Sequence, residues 1–272
     1  VSPATSDDAV YIGSHDGFVY SADAISGKLQ WKSPLGQSIR SSPVVADGHV
    51  LIGDRAGRVN ALDADSGKMI WQFETHDEIT ASPAVVEDTA IIGSWDGEIY
   101  ALSVAHGDLR WRCSTGGPVA SSLTVQGNLV CGGSDDANIY GVSLESGEVV
   151  WRRPVGGYAR SSAAATDDLF VVGCLDGRVY ALEHDTGKIR WQTETEDEIL
   201  ASAAIAGQYV YVGSIDGALY ALDIRDGRTV WRHKTLYGVY SSPAIVDDTL
   251  YIGIEYYYLV AFRSATDADI SI

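Results

Sequence analysis

Residues 61–71 read A-L-D-A-D-S-G-K-M-I-W, and variants of this stretch return every 40 residues along the chain. A tryptophan recurs at this interval, and a glycine lies four residues before each tryptophan. The tryptophans are Trp31, Trp71, Trp111, Trp151, Trp191 and Trp231, and the glycines are Gly27, Gly67, Gly107, Gly147, Gly187 and Gly227. A constant period of this length predicts a repeat architecture in which each unit packs against its neighbours.

Each repeat contains four short segments typical of β-strands. In the second repeat the predicted strands are 42–46, 49–53, 58–63 and 68–73, and they are separated by turn residues such as Asp47-Gly48 and Asp65-Ser66-Gly67. No segment has helical periodicity over ten or more residues. A lone four-stranded sheet with two apolar faces cannot bury itself, so the sheets are expected to stack face to face.

We therefore predict an all-β, seven-bladed β-propeller with four antiparallel strands per blade, forming a single domain over residues 1–272. The repeat units are about 2–41, 42–81, 82–121, 122–161, 162–201, 202–241 and 242–272. In the seventh unit Ser271 replaces the tryptophan and Asp267 replaces the glycine, so its outer strand is expected to be degenerate. We expect the six tryptophans and their glycines to be structural, with each ring packed on a neighbouring blade where the glycine leaves room.

Composition narrows the functional classes. The formal net charge is −18, and no segment supplies the basic stripe that nucleic acid requires, so nucleic acid is excluded as a partner. Strong acidity also favours a monomer. No apolar run reaches the roughly 18 residues that a membrane helix needs. The chain begins at Val1, so we expect it to be a processed or excised piece.

The motif A-x-D-x-x-[ST]-G-K-x-x-W is intact at 61–71 and nearly intact at 181–191 and 221–231. It resembles the tryptophan-docking motif of the PQQ-type (pyrroloquinoline-quinone-like) propeller repeat family, as do segments 210–223 and 241–248. The resemblance covers essentially the whole chain and implies a propeller. Family members include quinoprotein alcohol dehydrogenases, an outer-membrane assembly lipoprotein and sensor domains fused to kinases. The resemblance also favours an extracytoplasmic location, which the sequence does not itself determine.

One face of the predicted propeller collects varied side chains. It is formed by the loop entering the first strand of each blade and by the turn between its second and third strands, and we call it the loop face. Arginine and glutamate recur there 120 residues apart, so positive and negative side chains are expected to alternate around a central channel, with aromatic residues beside them. The candidate binding residues are Arg40, Glu78, Trp95, Tyr158, Arg160, Glu198, Tyr237, Tyr240 and Tyr257. Solvated loop side chains and simple ion pairs are the alternative explanation for these residues.

No catalytic constellation is present in the sequence. There is no G-x-S-x-G motif, the six histidines lack metal-ligand spacing, and the G-x-x-x-G turns open no helix. Acidic turn residues at the opposite face are explained by backbone hydrogen bonding, and no metal site is expected. The three cysteines, Cys113, Cys131 and Cys174, are expected to be small buried hydrophobes.

These observations favour a non-catalytic scaffold or sensor module that binds a protein or ligand through the loop face. Two alternatives follow from the family resemblance. One is an envelope assembly factor that engages a membrane-protein partner. The other is a quinoprotein dehydrogenase holding PQQ and Ca²⁺ near Arg40 and Arg160. The dehydrogenases of the family have a pair of adjacent cysteines, which this chain lacks, so no cofactor is expected.

Overall fold

The structure is a computed structural model that describes residues 1–254 and 258–263. Every regular element in these ranges is a β-strand, as the sequence predicted. The described residues accordingly include no helix of the length and apolarity needed to cross a membrane. Tyr257, Asp267 and Ser271, for which the sequence made predictions, lie outside the described residues.

The chain divides into two compact units, Val1–Pro154 and Val155–Ile272. The first unit contains four antiparallel sheets, each with four strands in chain order. They are β1–β4 (Ala4–Thr5, Ala9–Gly13, Phe18–Asp23, Leu29–Pro34), β5–β8 (Val44–Ala46, His49–Gly53, Arg58–Asp63, Met69–Glu74), β9–β12 (Ala84–Val86, Thr89–Gly93, Glu98–Ser103, Leu109–Ser114) and β13–β16 (Thr124–Gln126, Leu129–Ser134, Asn138–Ser143, Val149–Pro154).

The second unit contains three further sheets of the same kind. They are β17–β20 (Ala164–Ala165, Leu169–Gly173, Arg178–Glu183, Ile189–Glu194), β21–β24 (Ala204–Ala206, Tyr209–Ser214, Ala218–Asp223, Thr229–Lys234) and β25–β27 (Ala244–Val246, Thr249–Ile254, Tyr258–Arg263). Among the described residues the last sheet has three strands, one fewer than the predicted four. We number the sheets of both units as blades one to seven in chain order.

The first strand of the second blade is shorter than predicted. In the second blade it covers Val44–Ala46 instead of 42–46, while the other three strands agree with the prediction to within one residue. Pro43 has no N–H group, and the N–H of Ser42 donates to Ser82 Oγ of the third blade at 2.9 Å instead of to β6. Equivalent bonds link Ser2 to Ser42, Ser82 to Ser122, Ser162 to Ser202 and Ser202 to Ser242.

Neighbouring blades are joined by the tryptophans. Trp71 of the second blade donates its Nε1–H to the carbonyl of Val104 in the third blade at 2.8 Å. Its ring covers Gly107, where an added Cβ would lie 2.6 Å from Trp71 Cε3. The pairs Trp31–Gly67, Trp111–Gly147 and Trp191–Gly227 repeat this geometry. Glycine is needed because a side chain here would occupy the space of the indole.

Candidate protein-interaction face

An aspartate closes the turn between the second and third strands of most blades. In the third blade Asp96 Oδ1 accepts the N–H of Glu98 at 2.9 Å, and Oδ2 accepts the Tyr100 hydroxyl at 2.7 Å. Oδ2 also accepts the N–H of His76, in the loop that enters this blade, at 2.9 Å. Asp136, Asp176 and Asp216 make the same three kinds of bond. One carboxylate therefore holds turn and loop together.

The tyrosines of this network are weaker acids than a free phenol. Burial, with a smaller contribution from the hydrogen bond to Asp176, raises the pKa of Tyr180 to about 12. The same causes raise the pKa of Tyr140, with Asp136 as the acceptor. Each phenol therefore remains a hydrogen-bond donor at neutral pH, and the turn keeps its shape.

The second blade closes its turn with different residues. The buried Asp54 accepts the N–H groups of Ala56 and Arg58 on Oδ1, and its Oδ2 accepts the amide of Asn60 at 3.2 Å. Asn60 Oδ1 in turn accepts from Gln72 Nε2 at 2.6 Å. The sequence analysis did not identify this network. The signal for it was present, because Ala56 and Asn60 together replace the aspartate and tyrosine found at these positions in five other repeats.

The entering loops present their side chains to solvent in a defined pattern. The third residue of the segment 37–41 and of its repeats is apolar and at most 1% exposed: Ile39, Ile79, Val119, Ala159, Ile199 and Val239. Ile79 packs so tightly on the preceding blade that a Cβ on Gly53 would lie 2.2 Å from its Cγ2. Because these residues point inward, the residues on either side of them, at positions such as 38 and 40, point outward.

At individual blades, the entering loop and the turn lie at the same end of the sheet, as predicted. The N–H of the variable turn residue donates to a loop carbonyl in five blades: Arg55 to Ser38, Trp95 to Glu78, Asp135 to Pro118, Leu175 to Tyr158 and Ile215 to Glu198, at 2.9–3.2 Å. The loop face therefore has a backbone fixed by hydrogen bonds, on which the side chains vary.

In the first unit the loop face carries the candidates Arg40, Glu78 and Trp95. Glu78 pairs with Arg55 Nε at 2.5 Å, and Trp95 donates its Nε1–H to Thr80 Oγ1 at 2.8 Å. The sequence analysis expected an alternation of Arg40 and Glu78 and overlooked Arg55. Arg55 occupies the same turn position as Trp95, which is the signal that could have identified it. Arg40 is exposed and has no ion-pair partner among the described residues.

In the second unit the loop face carries Tyr158, Arg160, Glu198, Tyr237 and Tyr240. The Arg160 guanidinium lies 5.3 Å from the centre of the Tyr158 ring, which is a cation–π distance. Tyr158 and Tyr240 are 48% and 46% exposed.

The sequence analysis did not identify Leu236, which is a further exposed residue of the loop face. Leu236 is 91% exposed, so it is the most solvent-accessible large apolar side chain on the described part of this face. The signal for it is the repeat itself, because the equivalent positions carry glycine, histidine or glutamate.

The described residues offer no metal centre, since no group of three or more His, Cys, Asp or Glu side chains is placed to hold an ion. The three cysteines are buried and unpaired, and burial raises the pKa of the Cys113 thiol. Arg40 and Arg160, which the PQQ alternative requires, are found in the first and second unit respectively.

A cleft of about 470 Å³ lies between the third and fourth blades, at the strand ends opposite the loop face. Glu87, Arg110, Trp111 and Asn128 are among the residues that line it. Arg110 is already engaged by Asp88 Oδ2 and Thr89 Oγ1. None of the predicted binding residues contributes to this cleft, so it does not extend the loop face.

The sequence matches the family model described as outer membrane protein assembly factor BamB, over residues 1–131, 55–155 and 135–269. The chain belongs to the BamB family. The match confirms the resemblance to the PQQ-type repeat. No curated protein sequence matches the chain significantly.

Two solved structures show the fold. BamB from Moraxella catarrhalis superposes with a TM-score of 0.84 at 20% sequence identity, covering 97% of this chain and 84% of that protein. The computationally designed protein Ika8 superposes with a TM-score of 0.85 at 19% identity, covering 96% of this chain and 82% of the designed one. The predicted seven-bladed β-propeller class is thereby confirmed. Because a natural and a designed protein match equally well, the fold alone does not specify a function.

Proposed function

We propose that this chain is a non-catalytic scaffold that binds a protein partner through its loop face and serves in the assembly of outer membrane proteins. The main support for the proposal is the structure of the loop face. Its backbone is held by carboxylate and backbone hydrogen bonds, while its side chains are exposed, varied and partly aromatic. A rigid backbone that presents exposed tyrosine and arginine together with a half-buried tryptophan is typical of protein-binding surfaces, because little entropy is lost when a partner docks.

Two further observations support the proposal. The family model that matches most of the chain is described as an assembly factor for outer membrane proteins. Among the described residues, no group of three or more His, Cys, Asp or Glu side chains is placed to hold a metal ion. The proposed role needs neither PQQ nor Ca²⁺, and it places the protein outside the cytoplasm, where outer membrane proteins are assembled.

The proposal is tested by complementation. The chain, provided with an export signal, is expressed in a bacterium that lacks its own BamB, and the amounts of folded outer membrane β-barrel proteins are measured. Restoration of these amounts is expected. A folded and exported chain that restores nothing would overturn the proposal.

Loop-face variants then locate the activity. Trp95→Ala and Tyr158→Ala test the loop face of each unit, and both are expected to lower the amounts of folded β-barrel proteins. The control is Ile25→Ala, which removes a side chain that is 98% exposed in the turn between β3 and β4, away from the loop face. If the control impairs complementation as much as the other two variants do, the loop face is not the binding surface.

A further inference from the structure

The loop entering the seventh blade departs from the other five described loops. Its residues 236, 237 and 240 are Leu, Tyr and Tyr, whereas the first two of these positions carry glycine or polar residues in every other loop. The blade itself does not require these residues, since the glycine-rich loop 116–117 enters an equivalent blade. Leu236 is 91%, Tyr237 39% and Tyr240 46% exposed. Three adjoining exposed apolar side chains indicate a contact surface.

The exposed side chains lie on an ordered backbone. Thr235 Oγ1 lies 2.9 Å from the carbonyl of Gly217 and 2.5 Å from that of Tyr237. Val239 is fully buried, and its N–H donates to the carbonyl of Ser214 at 3.0 Å. The Tyr240 ring lies close against Gly238, where an added Cβ would be 2.8 Å from Tyr240 Cε2. The loop is therefore held on both sides of its apolar residues.

Two unpaired carboxylates adjoin this apolar surface. The turn 214–217 contacts the loop 235–240 on one side and the preceding loop on the other, where Ser214 Oγ donates to Asp197 O and Ile215 N donates to Glu198 O. Asp197 and Glu198 are exposed and have no cation within ion-pair distance among the described residues. The nearby Glu196 differs, because it pairs with Arg232 at 2.8 Å and with Lys234 at 3.8 Å, so both of these cations are already engaged. The apolar surface thus has negative charge on its Asp197 side.

We infer that Leu236, Tyr237 and Tyr240 form an anchor site for a protein segment whose apolar residues are flanked by lysine or arginine. The inference rests on the proposed function and specifies the chemistry of the partner at that face. The apolar side chains of the partner cover Leu236 and the two tyrosine rings, and its basic residues meet Asp197 and Glu198. Charge complementarity decides for a basic segment, since an acidic one would be repelled by these carboxylates and by the net charge of −18.

The test measures binding of defined peptides to the full chain by fluorescence anisotropy. The probe is a fluorescein-labelled peptide with two Leu-Phe pairs flanked at both ends by paired lysines. Its matched controls replace the lysines by glutamate, or the Leu-Phe pairs by serine. Saturable binding is expected for the probe alone. Equal binding of the glutamate peptide would overturn the electrostatic part of the inference, and equal binding of the serine peptide the apolar part.

Variants separate this site from general attraction to an acidic protein. Leu236→Asp and Tyr240→Ala are each expected to weaken binding by about tenfold or more. Asp197→Asn combined with Glu198→Gln should weaken it and reduce its dependence on salt. Ile25→Asp is the control for Leu236→Asp, since it places the same charge at an equally exposed apolar position elsewhere. Unchanged binding to both Leu236→Asp and Tyr240→Ala would refute the site.

The two proposals fail in different ways. If complementation succeeds but the peptide does not bind, the partner chemistry is wrong and the scaffold function stands. If the peptide binds at Leu236 but complementation fails, the site exists and the assembly role is wrong. Thermal melting of each variant confirms that it is folded, and Leu236→Asp should not shift the midpoint because the side chain is almost fully exposed.

Discussion

Replacing Gly67 by alanine tests the way in which the blades are joined. Gly67 and Gly27 occupy equivalent turns, and both have φ +68°. A Cβ on Gly67 would lie 2.5 Å from Trp31 Cε3 and 2.6 Å from Ser33 Oγ, whereas a Cβ on Gly27 would meet nothing within 4 Å. The two substitutions therefore share the backbone cost and differ in the contacts with Trp31 and Ser33 of the preceding blade.

The expected changes in the free energy of unfolding follow from the backbone cost and from the close contacts of the added Cβ. Alanine in the left-handed region costs about 1–2 kcal/mol at either position. Overpacking against Trp31 adds about 1–3 kcal/mol at Gly67 alone. Gly67→Ala should thus lower the free energy of unfolding by about 2–5 kcal/mol, and Gly27→Ala by about 1–2 kcal/mol.

The assay is thermal unfolding followed by circular dichroism, in which 1 kcal/mol corresponds to about 2–4 °C for a chain of this size class. Gly67→Ala should melt several degrees below Gly27→Ala. In a Trp31→Ala background, Gly67→Ala should lower the free energy of unfolding by less than it does in the parent chain, because the indole is gone and only the contact with Ser33 Oγ remains. Equal midpoints for the two glycine variants would refute the docking argument.

Two further predictions concern the tyrosine network and the cofactor. The pKa of Tyr180 is about 12 in the folded chain and about 10 in the unfolded one. The unfolded state therefore ionises first, and the free energy of unfolding should fall as pH rises from 10 to 12. The urea midpoint should fall less steeply with pH in Tyr180→Phe than in the parent chain, and identical slopes would contradict the pKa shift. Titration calorimetry with PQQ, with and without Ca²⁺, should show no saturable heat, because the described residues assemble no site for the ion. Saturable heat that is lost in Arg40→Ala would instead support the dehydrogenase alternative.

The loop face shows what sequence reasoning could predict and where it stopped. It placed Glu78 and Trp95 at the same end of one blade, because the repeat assigns every residue a position in a known strand order, and the Trp95 N–H donates to the carbonyl of Glu78. It could not assign the partner of Glu78, which is Arg55. The two residues lie 23 positions apart, and which side chains meet there depends on rotamers and on the packing of the turn against the loop.

The sequence alone determined where the strands of each blade lie in the chain. Strand alternation, turn residues and the tryptophan–glycine spacing act over a few residues at a time, and the constant period repeats them, so strand positions and fold class could be read directly. Only the tertiary structure decided the contacts between blades and the exposure of each loop side chain. Ser42 gives its N–H to Ser82, Asp54 and Asn60 replace an aspartate–tyrosine pair, and Leu236 stays in solvent while Val239 is buried. These outcomes depend on which atoms are brought together from residues distant in the sequence, and local propensity carries no information about which of those atoms will meet.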